Sequence, residues 1–130
     1  TCKYCIKMRY AGKGGWVGVA WQDPANNWGQ QEGGYDLRGA THLELWARGK
    51  YAGERISIGV GLLGKETAHP DSGKAKVDGI VLNDDWKRFR IPLEDIDLSS
   101  IKTGFVVTIS GRQTSVTVYL DSIRFVRIES

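Results

Sequence analysis

The sequence is short of the residues on which most small-protein chemistry is built. Its 130 residues include two cysteines, two histidines and three prolines. Two cysteines exclude a disulfide-dense scaffold. As a lone CxxC in "TCKYC", Cys2 and Cys5 also fall short of a zinc site, because His42 and His69 lie far away in sequence. A redox CxxC is expected at the start of a helix, where the dipole lowers the thiol pKa. This one opens a strand-like run, in which the two side chains would point to opposite faces, so one or both are read as packed or exposed thiols without chemistry.

No apolar stretch approaches a membrane span, and no signal peptide is visible. The chain starts at Thr1 inside a strand-like run, as a domain cut from a longer or processed protein would. The net charge is only +3, and the Lys and Arg residues are scattered rather than gathered into a run. That argues against nucleic acid and membrane surfaces as partners. The sequence has no GxSxG, HExxH or phosphate loop. The carboxylates of "NDD" (Asp84, Asp85) and "LEDID" (Glu94, Asp95, Asp97) could do acid–base work on a glycoside. Their positions at strand ends favour a role in capping local backbone instead. No segment carries a helical period, although "LEDIDLSSI" has room for a short helical turn.

What the sequence does have is alternation. "RISIGVGLL" puts Ile56, Ile58, Val60 and Leu62 on one face, with Ser57, Gly59 and Gly61 on the other. "THLELWARG" opposes Leu43, Leu45 and Ala47 to His42, Glu44, Trp46 and Arg48. "GWVGVAWQ", "GFVVTIS", "WKRFRIPL", "SVTVYLDSIRF", "CIKMRY" and "KAKVDGIVL" behave likewise, giving about eight strands. Half-buried strands joined by Gly, Asn and Asp turns predict an all-β, two-sheet antiparallel β-sandwich of jelly-roll type, one domain over residues 1–130. Two long loops, residues 23–39 and 64–74, are places to look for function. In the second, "HPDSG" reads as a turn in which Asp71 bonds its own backbone and Pro70 fixes φ.

Five tryptophans are a surplus for this length, and so large a side chain is rarely fully buried. Trp21 shares parity with Val17 and Val19 and is assigned to the core, and Trp86 to one end of it. Trp16, Trp28 and Trp46 are candidates to show a ring face. If the strands carrying Trp46, Ser57/Gly59/Gly61 and Gly18/Ala20 are neighbours, their outer faces form one surface that is aromatic, polar and locally stripped of side chains. Sugars suit such a surface, because pyranose rings stack on indole while Arg, Glu, Asn and Gln bond the hydroxyls. The plainer alternative is that the 23–39 loop covers Trp46 and that the strand glycines only mark bulges. Asp121 lies opposite Leu120 and needs solvent, an arginine or a hard cation such as calcium as a partner.

"GWVGVAWQDPANNWG", "GGYDLRGATHLELWARG", "WKRFRIPLEDIDLSSI" and "VYLDSIRF", in this order and spacing, resemble the β-jelly-roll carbohydrate-binding modules of bacterial glycan-degrading proteins. The resemblance runs from about Cys5 to Phe125. It implies a noncatalytic, monomeric module, extracellular (secreted or displayed at the cell surface) and attached to a catalytic or surface-anchored module. The implied ligand is a polysaccharide or oligosaccharide, a β-glucan or related hemicellulose. Trp16, Trp28 and Trp46 are the expected stacking residues, with Arg48, Glu44, Asn27 and Gln30 as hydroxyl partners. Related modules often carry a structural calcium on the aspartate of the last-strand motif, here Asp121. No acid precedes Asp23, and Ser122 stands where a second acid commonly follows, which leaves loop carbonyls and Asp36 as further ligands. Two other readings remain open. One is a protein-interaction or structural sandwich using the same aromatics as an interface, and the other a small lyase or hydrolase using the carboxylates.

Overall fold

The computed structural model describes residues 5–11, 16–22, 29, 32–64, 66–110 and 115–128, with backbone only at Trp16, Val17 and Ser110. Among the described residues there are eight strands: β1 (Ile6–Tyr10), β2 (Trp16–Gln22), β3 (His42–Gly49), β4 (Arg55–Val60), β5 (Ala75–Val81), β6 (Lys87–Pro92), β7 (Thr103–Ser110) and β8 (Val116–Val126). They form two antiparallel four-stranded sheets, the first in the order β1-β8-β3-β6 and the second in the order β2-β7-β4-β5. Every connection except β4–β5 passes from one sheet to the other.

The apolar parity fills the space between the sheets. Leu43, Leu45 and Ala47 of β3, with Val118 and Leu120 of β8, meet Ile56, Ile58 and Val60 of β4 and Phe105 and Val107 of β7, all essentially inaccessible. Each buried Leu, Ile, Val or Phe side chain contributes about 1.5–3 kcal/mol by leaving water. Bulges in β8 and β5 keep the parity in phase. In β8 the inward residues are even-numbered up to Leu120 and odd-numbered from Ile123, so one extra residue must be accommodated. It is taken up opposite the Glu44–Trp46 step of β3, with Ser122 at a φ of 52°. In β5 the Asp78-Gly79 pair does the same opposite Ser57, and Gly79 supplies the left-handed φ of 69°.

Three expectations are corrected. "LEDIDLSSI" forms turns and bends rather than a helical turn. Asp95 has a φ of 62°, and Asp97 Oδ1 accepts bonds from both the N–H and the hydroxyl of Ser99, which closes a local turn in place of a helix. Trp21 is not sealed in the core. It packs edge-on against Phe105, with centroids 4.6 Å apart at 86°, yet remains 42% exposed, because β2 is an edge strand and covers the ring on one side only. Cys5 is not a free thiol but half of a disulfide, while Cys2 lies outside the described residues.

One end of the sandwich is held by Asp71. Its Oδ2 accepts the N–H groups of Leu62 and Leu63, and its Oδ1 those of Lys102 and Thr103. Ser72 adds a hydroxyl bond to the Asp97 carbonyl and accepts from the Ser100 N–H. The segment around Tyr35 is tied to the same end by the reciprocal Tyr35–Ile101 backbone bonds and by Leu37 N–H to the Leu98 carbonyl.

Candidate functional site

The outer face of the second sheet is nearly bare of large side chains. Register places Gly18 of β2, Thr108 of β7 and Ser57 of β4 on one rung, and Ala20, Val106, Gly59 and Lys76 on the next. Where a sheet carries only hydrogens, methyls and hydroxyls, its surface sinks relative to its rim. Here it forms a groove of about 570 Å³ whose margins include Gln22, Leu62 and Lys76. At one end the Tyr35 ring lies against Gly104, whose missing Cβ makes room for it, and the Tyr35 hydroxyl donates to the Gln22 carbonyl. Gln22 Nε2 is buried and has no acceptor among the described residues. Trp16 begins β2 opposite Ser110, one rung beyond Gly18.

The single aromatic and polar surface expected from the sequence does not form. Trp46, Glu44 and Arg48 lie on β3, in the first sheet, and the glycine-bearing β2 and β4 lie in the second, so the two outer faces look away from each other. The cause is the crossing connection between β3 and β4. Trp46 is 37% exposed, between Asp121 on β8 and Arg88 on β6. Arg48 stacks over Tyr119 at 4.4 Å and reaches Trp86 at 5.7 Å, and it donates to the Asp84 carbonyl. The Glu44 side chain is only 2% exposed, with Arg90 at 2.9 Å on one oxygen and Arg124 at 2.8 Å on the other, so its acceptors are already taken. Trp28, Asn27 and Gln30 lie outside the described residues.

Residues 3–127 match the family described as carbohydrate binding domain 30. The chain belongs to that family. It is a carbohydrate-binding module. No curated protein matches it. Among solved structures the family 30 module of the cellulosomal cellulase Cel9D-Cel44B of Clostridium thermocellum is similar, at 20% identity and a TM-score of 0.66, over 97% of this chain and 76% of that one. The Clostridium thermocellum family 11 module, solved with a β-1,3-1,4-mixed-linked tetrasaccharide, is similar at 12% identity and a TM-score of 0.67, over 95% and 75% of the two chains. At such identities the likeness speaks for the fold, the β-jelly roll.

In this family 30 module each of the two calcium candidates has a protein partner. Arg38 donates to both oxygens of Asp36 and draws its carboxyl down to about 2. Asp121 is exposed on β8 and accepts the N–H of Ser122 in the bulge. Among the described residues no three His, Cys, Asp or Glu side chains are gathered to hold a metal ion. Gln22 and Gly104 were not distinguishable in the sequence as site residues. The only signal for Tyr35 was an aromatic beside a Gly-Gly turn.

The Glu44 cluster gives the module a pH signature. Hydrogen bonds from Arg124 and then Arg90 hold the Glu44 carboxyl below its ordinary 4.5, against the opposing effect of burial. A lowered native pKa stabilises the fold fully above the unfolded value, and the benefit disappears as pH falls through the native value. Glu44→Gln is therefore expected to flatten the loss of stability below pH 4.5, measured by urea unfolding at stepped pH. An acid limb as steep as that of the parent would show that the cluster is uncoupled from folding.

Proposed function

We propose that this chain is a noncatalytic module that lays a polysaccharide, a β-linked glucan or related hemicellulose, in the groove of the second sheet. The observation that carries the reading is the bare floor of Gly18, Ala20, Ser57 and Gly59, flanked by Gln22, Leu62 and Lys76. A flat pyranose chain can approach such a backbone closely, and hydroxyls can pair with Gln22, Ser57 and Lys76. Tyr35 supplies a ring at one end of the groove, and Trp16, which begins β2, and Trp28 are the further stacking residues of this reading. Trp46, on the other sheet, is left out of this groove. The mixed-linkage tetrasaccharide bound by the family 11 module of like fold supports a β-glucan. The Cys5 disulfide supports an oxidising, extracellular setting. Attachment to a catalytic or surface-anchored module, as a monomer, fits a domain whose work is targeting.

The test is affinity electrophoresis and calorimetry against soluble β-glucans, xylans and mannans. Retardation by β-glucans, weakened about tenfold in Trp16→Ala and in Tyr35→Ala, is the expected result. No retention by any glycan, with a concentration-dependent dimer in its place, would sink the proposal.

A further inference from the structure

The outer face of the first sheet is as crowded as that of the second is bare, and its side chains have a chemistry of their own. Strand register orders them in rungs. Lys7, Tyr119 and Arg48 cross β1, β8 and β3 in one rung, and Arg9, Thr117 and Lys50 form the next. Glu44 is taken up by Arg90 and Arg124. Among the described residues no carboxylate forms a salt bridge with Lys7, Arg9, Arg48 or Lys50. This corner also sinks into a second cavity of about 490 Å³, whose wall includes the cations Lys7, Arg9 and Lys50, with Tyr51, Thr117 and one buried carboxylate, Glu54. Tyr51 is 75% exposed and has Lys50 Nζ 5.3 Å from its ring centre. The turn that presents it is fixed from below: Glu54, itself buried, accepts the Tyr51 N–H and packs where Gly49 has no Cβ.

We infer that this corner is a second, acidic-glycan site, binding a uronate-bearing polysaccharide independently of the groove. Cations on alternate residues of a strand stand about 6–7 Å apart. They are therefore spaced to meet separate carboxylates along a chain, rather than converging on one phosphate as a bidentate or clustered site does. Sharing the cavity wall with them are the exposed phenol of Tyr51 and the hydroxyls of Ser115 and Thr117, suited to the ring face and hydroxyls of a sugar. A sulfate or phosphate ester alone would use only the charges. An acidic polypeptide would leave the ring and hydroxyls without the matching partner that a sugar acid offers.

The experiment uses the full chain in low-salt affinity gels containing polygalacturonate, hydroxyethylcellulose, dextran sulfate or polyglutamate. Polygalacturonate is expected to retard the protein, with retention falling as salt is added. Lys7→Ala/Arg9→Ala/Lys50→Ala, all at exposed positions, is expected to lose about tenfold in that affinity while retaining its mobility in hydroxyethylcellulose. Absence of retardation by polygalacturonate overturns the inference. So does retardation that survives the triple substitution, or equal retardation by dextran sulfate or polyglutamate. Failure in hydroxyethylcellulose alone would count against the groove and leave this site standing.

Discussion

Asp71→Ala is expected to lower the stability of the module by about 3–4 kcal/mol, a fall in Tm of roughly 10–15 °C. The side chain is buried and its two oxygens divide the work. One closes the Leu62–Leu63 backbone, the other the start of β7 at Lys102 and Thr103. Four N–H groups lose their acceptor at once, and each buried donor left unpaired costs about 1–3 kcal/mol. Water reaching the loop recovers part of this, which keeps the total below the sum. Asp71→Asn separates shape from charge. The amide keeps one acceptor oxygen but turns an NH₂ toward the other pair of N–H groups, so it too is expected to destabilise, by an intermediate amount. The same bonds set the position of Gly61 and Leu62 at the groove margin, so glycan affinity should fall with stability. Thermal unfolding of Asp71→Ala within a few degrees of the parent would show that solvent replaces the carboxylate without cost.

The same residue illustrates what the sequence discloses and what it hides. "HPDSG" announces a turn closed by Asp71 on its own backbone; the segment bends at His69 and Ser72, but the carboxylate's partners are Leu62 and Leu63 and, some thirty residues away, Lys102 and Thr103, where no local pattern points. Alternation in "RISIGVGLL" and "THLELWARG" reveals strands and their inward faces because burial on one face imposes a period of two. It even carries the bulge: the even-to-odd switch between Leu120 and Ile123 leaves Asp121 and Ser122 both exposed. Alternation carries no information about which sheet a strand joins. In this topology consecutive strands mostly change sheet, so Trp46 and Gly59, thirteen positions apart, end on opposite faces of the protein. Aromatic surplus likewise points to a binding surface without saying which one. The residues that shape the groove are small ones, Gly18, Ala20, Gly59 and Gly104, and small residues in strands look the same whether they floor a site or mark a bulge.

That distinction yields the second large effect. Ala20→Ile is expected to reduce β-glucan affinity by about tenfold or more with the fold intact. Ala20 sits on the outer face of β2, on the rung with Val106, Gly59 and Lys76. A β-branched side chain suits a strand backbone, so the substitution costs the sandwich little. Its added carbons rise into the groove where the sugar chain would lie against the sheet, and they displace ring contacts that cannot be remade at a greater distance, since dispersion falls steeply with separation. Tyr35→Ala is expected to weaken binding by the opposite route, removing a wall and not filling the floor, since the ring lies against Gly104. The two together locate the ligand: a chain lying along the groove is sensitive to both. If Ala20→Ile binds β-glucan as tightly as the parent while Trp46→Ala does not, the polysaccharide lies on the first sheet instead. The bare floor of the second would then be a consequence of glycine at bulges and close strand approach, without a part in recognition.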